Sequence, residues 1–145
     1  MAILNYTTSI STAKTAQELQ TILVKAGAQK VLIDYEPNGS GEATAVTFAI
    51  AVGAENRMVF FTLPSNWQGV QKALVKAGVL YKYRTEAQAK RVSWRIIKNW
   101  CEAQLAIIEA GQANLAEVFL PFAQTASGQT LYRALESESF KSLLQ

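Results

Sequence analysis

The chain contains no histidine and one cysteine, Cys101. Without histidine there is no Ser-His-Asp or Cys-His nucleophile system and no ordinary zinc ligand set. A lone cysteine excludes a disulfide framework within the chain and fits a reducing compartment. Asp34 is the one aspartate, and only Glu36 and Glu42 stand near it in the sequence. Two carboxylates two apart on a strand could share a divalent ion, but no third ligand is evident, and an acidic pair at an edge reads more simply as a solubility device. Glycine-rich phosphate loops are also missing, since Gly39, Gly41 and Gly53 fall in short turns. No apolar run approaches the roughly 18 residues of a membrane span. The opening Met1-Ala2-Ile3-Leu4-Asn5-Tyr6 has neither the basic start nor the long apolar stretch of a signal peptide, so a cytoplasmic setting is expected. These absences leave no constellation for an enzyme and imply no cofactor.

What is present is a core. Half of the 145 residues are hydrophobic, and the formal net charge is +3. That balance fits one globular domain, 1–145, and permits an anionic partner without requiring one. No linker-like composition divides the chain.

Ile3–Ile10 alternates loosely and predicts a first strand. Thr15-Ala16-Gln17-Glu18 has capping-box spacing, with Thr12 as a competing start, and Gly27 stands where a helix would stop. Val31–Glu36, Glu42–Val52 and Arg57–Leu63 predict three strands, and Asn38-Gly39 marks a hairpin turn. In the second of these, Val46, Phe48, Ile50 and Val52 share one face, and Ala43, Ala45, Thr47, Ala49 and Ala51 the other. The small-residue face invites close approach by a helix or a second subunit. Ser65-Asn66-Trp67-Gln68 and Thr85-Glu86-Ala87-Gln88 open two further helices, the first ending at Gly78 and the second at Gly111. Leu115–Phe119 and the region of Leu131–Leu135 predict short helices. The expected fold is α+β: an antiparallel sheet of three to four strands, in β-α-β-β-β-α-α-α order, packed against helices with one long central helix.

That long helix carries the strongest functional signal. At about 100° per residue, Arg91, Arg95, Lys98, Glu102 and Glu109 form one narrow stripe, and apolar residues fill most of the remaining arc. Such a helix should be buried on two or more sides. Lys82, Arg84, Lys90, Arg91, Arg95 and Lys98 interleave with Tyr81, Tyr83 and Trp94. Arg forks take phosphate bidentately and aromatic faces stack on bases. The candidate ligand site is therefore Arg91, Arg95 and Lys98 for phosphate, Arg84 and Lys82 at the rim, and Tyr83 and Trp94 for a base. The stripe runs from basic to acidic, so an antiparallel copy of the helix would be self-complementary, and a homo-oligomer is the competing expectation.

Two resemblances bear on these readings. Leu19–Leu74 resembles a double-stranded-RNA-binding domain in its helix–three strands–helix order, but Ser65-Asn66-Trp67-Gln68-Gly69 stands where that family carries its basic cluster. Most of the chain resembles a group of small bacteriophage and mobile-element proteins of no established activity. The shared segments are Ile3–Thr8, Arg91–Trp100 with Glu102–Leu105, and Val118–Pro121 before Thr130-Leu131-Tyr132. This resemblance implies an accessory protein acting in a bacterial cytoplasm, one that binds nucleic acid, sequesters a nucleotide signal of host defence, or, as the alternative, blocks a host defence or replication protein without nucleotide.

Overall fold

In a computed structural model, which describes residues 2–145, the element order is α1 (Thr12–Ala26), β1 (Lys30–Tyr35), β2 (Ala43–Val52), β3 (Arg57–Pro64), α2 (Trp67–Lys76), α3 (Glu86–Glu109), α4 (Leu115–Phe119) and α5 (Leu131–Ser137). Short 3-10 turns occupy Tyr81–Tyr83, Leu120–Phe122 and Lys141–Leu143. The strands form one antiparallel sheet in the order β1-β2-β3.

The expected first strand at Ile3–Ile10 does not form, and the first element among the described residues is a helix. Residues 4–7 form turns, and Asn5 takes a left-handed conformation (φ 66°) that a strand does not tolerate. The carbonyls of Tyr6 and Thr8 find their partner far away in sequence. Both accept from Nε2 of Gln88, at 2.8 and 2.9 Å, and Gln88 itself is buried. A buried carbonyl needs a donor, and a side chain of α3 supplies it in place of a neighbouring strand.

Helix α1 starts at the earlier of the two expected positions. Ser11 caps it, accepting from the Lys14 N–H, and Gly27 ends it in the left-handed conformation (φ 116°). Thr15 and Glu18, read from sequence as a capping box, sit one turn inside the helix and face α3. The box expected at Ser65 is also unformed: Asn66 takes the N-cap without a side-chain bond, and the Ser65 hydroxyl donates to Ser93 Oγ at 2.9 Å. At α3, Thr85 caps as expected, accepting from the Gln88 N–H.

Alternation along the strands divides the sheet. Val31 and Ile33, Val46 and Phe48, and Phe61 and Leu63 belong to the core face, where Leu19 and Leu23 of α1 and Trp94 and Cys101 of α3 pack on them. Phe48 stacks on Phe61 at 5.1 Å, Phe119 of α4 meets Phe48 edge-on at 5.1 Å, and Trp100 of α3 meets Phe119 edge-on at 5.3 Å. Each such pair contributes about 0.5–1.5 kcal/mol beyond its area, so sheet, α3 and α4 are tied through one aromatic chain. Ala43, the first residue of β2, is clamped from two sides. Its N–H donates to the Thr12 hydroxyl at 3.2 Å, and its carbonyl accepts from the Trp94 indole N–H at 3.0 Å.

The long helix lies between α1 and α2, with Trp94 reaching the sheet, so it is covered on several sides as its apolar girth requires. Ala43 lies in the core, past the register shift opposite Asp34 and Tyr35, and the rest of the Ala/Thr face of β2 points away from α3. Thr47 and Thr62 join hydroxyls across that face at 3.2 Å, flanked by exposed Leu32 and Phe60. Among the described residues, no helix takes up the invitation of those small residues. The far edge of β3 is partly closed by the chain after α4: Ala123 bridges Phe61, and the Gln124 N–H donates to the Phe60 carbonyl at 2.7 Å. No helix among the described residues is long and apolar enough to cross a membrane.

Candidate anion-binding surface

The charged stripe of α3 divides into two halves with different surroundings. In the C-terminal half the cations are neutralised within the chain. Arg95 Nη1 donates to Glu18 Oε2 at 2.6 Å and to the Thr15 hydroxyl at 3.3 Å, and its side chain is only 13% exposed. Lys98 meets Glu102 at 2.7 Å and Glu18 at 3.8 Å. The acid opposite Arg95 is thus Glu18 of α1 in the same chain.

Trp94 is 0% exposed, with its N–H spent on Ala43. Base stacking on this ring would require opening the core. The sequence placed Trp94 at the border of the apolar arc, but its ring sits in the core and its N–H reaches the start of β2. Lys90 is likewise engaged: it bonds Glu36 at 2.6 Å and Glu86 at 3.2 Å and lies 5.4 Å from the Trp67 ring. The hydrogen bond from Lys90 holds the Glu36 carboxyl below its ordinary pKa, and the same bond holds the Lys90 ammonium above its own.

The carboxylates do not gather. A β-bulge between Asp34 and Tyr35 breaks the shared face, Glu36 turns to Lys90, and Glu42 accepts from the Thr12 hydroxyl at 3.0 Å. Cys101 is buried, and burial pushes its thiol pKa up to about 12, so it stays protonated.

The N-terminal half of the stripe continues into a different kind of surface. Helix α2 turns Leu74 inward and leaves Lys72, Val75 and Lys76 exposed. Gly78 (φ 70°) turns the chain after α2 toward the 3-10 turn, and Gln71 of α2 fixes that turn by donating to the Arg84 carbonyl at 3.1 Å. Tyr83 packs edge-on against Tyr6 at 5.6 Å, with Lys82 Nζ 4.9 Å from its ring. Tyr81 is 75% exposed, and the Arg84 guanidinium lies 6.0 Å from its ring. Arg91 donates through Nε and Nη2 to Gln88 Oε1, at 3.1 and 2.7 Å. That acceptor is neutral, so Arg91 is oriented without losing its charge.

Among the described residues, Lys72, Lys76, Lys82, Arg84 and Arg91 have no carboxylate partner. The lobe from Trp67 to Arg91 holds six basic residues and one acid. The rest of the chain is therefore slightly acidic, and the excess positive charge is local. Of the seven residues selected from sequence, Lys82, Arg84, Tyr83 and Arg91 lie in this lobe, whereas Arg95, Lys98 and Trp94 lie outside it. Lys72, Lys76, Tyr81 and the orienting Gln88 were not selected; a windowed charge count would have found the two lysines.

Compared with protein-family models, with curated proteins and with solved structures, the chain finds no match. Any functional reading therefore rests on this surface.

Proposed function

We propose that the protein is a non-catalytic binder of single-stranded nucleic acid, which it takes on the lobe formed by α2, the Tyr81–Tyr83 turn and the start of α3. The single observation that carries the reading is the segregation of charge: six basic residues against one acid between Trp67 and Arg91, five of them without a carboxylate partner. Exposed Tyr81 beside Lys82 and Arg84 supplies a stacking platform within the same lobe. The surface is open, which suits a flexible polymer better than a mononucleotide held in an enclosed pocket. The resemblance to small phage and mobile-element proteins fits such a ligand in an infected cell, where nucleic acid is abundant.

Fluorescence anisotropy with a labelled single-stranded oligonucleotide tests the proposal. If Lys72, Lys76, Lys82 and Arg84 each neutralise a phosphate, affinity should fall with salt at a log–log slope of about −3. Lys82→Glu and Arg84→Glu should each weaken binding and flatten that slope, and Tyr81→Ala should weaken binding without flattening it. Lys98→Met, outside the lobe, should change neither. No binding at low salt, or a slope indifferent to the charge reversals, refutes the proposal. A mononucleotide that raises the melting temperature while oligonucleotides do not would point instead to a sequestered small signal.

A further inference from the structure

The sheet has one edge partly closed and one open. The Ala123–Gln124 segment pairs with β3, and β2 lies at the centre, so β1 is hydrogen-bonded on one side only. Residues Lys30–Asp34 contain neither proline nor glycine, and the register with β2 is regular until the bulge after Asp34. A strand of this kind presents a row of free amides and carbonyls, the usual template for pairing with another chain. The segment Ile3–Ile10, whose pattern resembles an edge strand, is held on Gln88 instead and does not cover it.

We propose that a second copy of this chain docks on β1, with the two β1 strands antiparallel about a two-fold axis at Leu32, so that two three-stranded sheets become one continuous sheet. The argument is charge complementarity within the strand itself. A two-fold axis at Leu32 sets Lys30 opposite Asp34 of the copy, Val31 opposite Ile33, and Leu32 opposite Leu32. By the alternation of a strand, Lys30, Leu32 and Asp34 all fall on the outer face of the sheet. The pairing therefore forms two opposite-charge cross-strand contacts around an apolar centre. Leu32 is 63% exposed in the single chain, an unusual position for a leucine on a strand with no layer above it. Moving the axis by one residue sets Leu32 against Lys30 or Asp34 and loses the leucine contact. An isologous interface requires this self-complementarity, with the same patch serving both partners.

Light scattering and a charge-reversal cycle test the pairing. The wild-type chain is expected at twice its 15.9 kDa mass. Lys30→Asp and Asp34→Lys each replace two opposite-charge contacts by like-charge ones and should weaken the dimer by about tenfold or more. The double variant restores both contacts with their signs exchanged and should restore the dimer. Circular dichroism checks that every variant is folded. A Leu32→Cys variant supplies an independent readout. Directly opposed residues of antiparallel strands lie about 4.5 or 5.5 Å apart at Cα, within disulfide range, so mild oxidation should give a reducible covalent dimer. Buried Cys101 provides little background. A monomeric wild type, a dimer indifferent to the single reversals, a folded double variant that stays monomeric, or a Leu32→Cys chain that does not cross-link would each overturn the proposal.

Discussion

Replacing Trp94 by Phe separates a structural role from a ligand-stacking one. The indole is fully buried, and its N–H is the donor found for the Ala43 carbonyl at the start of β2. The phenyl ring keeps aromatic volume in the core but removes that donor. A buried acceptor left without its partner costs about 1–3 kcal/mol. The smaller ring leaves unfilled space, which adds roughly 1 kcal/mol on the scale of large-to-small core changes. The expected loss is thus about 2–4 kcal/mol. For a chain of this size, where each kcal/mol shifts the midpoint by about 2–4 °C, the melting temperature should fall by about 5–15 °C. Urea titration followed by circular dichroism measures the loss, and oligonucleotide anisotropy well below the new midpoint should show unchanged affinity. A variant that kept its stability but lost binding would refute this reasoning, because Trp94 would then be a ligand contact.

Other consequences follow from the same contacts. Gln88→Leu strands the carbonyls of Tyr6 and Thr8 and frees Arg91; it should cost about 2–4 kcal/mol and make the bonds before Thr12 the first site of limited proteolysis. The Glu36–Lys90 pair gives a pH dependence with opposite signs at its two ends. Because the folded pKa of Glu36 lies below 4.5, its contribution is complete above that value and lost as pH falls through the folded pKa; because that of Lys90 lies above 10.5, its contribution is complete below 10.5 and lost as pH rises through the folded pKa. Glu36→Gln should therefore lower the melting temperature by a constant amount between about pH 6 and 9, with a difference that shrinks in acid. Cys101 should react slowly with thiol reagents at pH 8 in the native chain and at the rate of a free thiol in denaturant, as judged by absorbance.

The elements legible in the sequence are those whose signals are local. The three-strand meander follows from alternation and an Asn-Gly turn, and Gly27 and Gly78 end their helices because a left-handed backbone is inexpensive only for glycine. The long helix announced itself by its girth of apolar residues. The misreadings share one cause, a side chain whose partner is distant. Thr15 and Glu18 have the spacing of a cap, but Arg95 claims both across the α1–α3 contact. Ser65 has the chemistry of a cap, but Ser93 lies within reach. Tyr6, Thr7 and Thr8 have strand propensity, but Gln88 satisfies the carbonyls that a sheet would otherwise have paired. Local spacing says which residues share a face; it does not say what the face meets.

The stripe on α3 shows how much this matters for function. Arg91 and Arg95 stand four residues apart on one helix face, and by sequence they are equivalent phosphate ligands. Their neighbours make them different. Arg95 is largely enclosed and bonded to a carboxylate; drawing it toward a ligand would leave Glu18 with only the more distant Lys98, and breaking such a pair on one side costs more than the pair itself contributes. Arg91 is bonded to an amide oxygen, which fixes the direction of the guanidinium and leaves its charge uncompensated. A phosphate approaching Arg91 gains a full ion pair, whereas one approaching Arg95 must compete with an existing one. On the proposed reading, the boundary of the binding surface therefore falls between these two arginines. It is drawn by Glu18 of α1 and Gln88 of α3 rather than by anything in the arginines themselves. Exchanging those two environments should move the boundary: Glu18→Gln frees Arg95 and should steepen the salt dependence of oligonucleotide binding, by about one unit of slope at most. An unchanged slope would mean that Arg95 stays enclosed even without its acid.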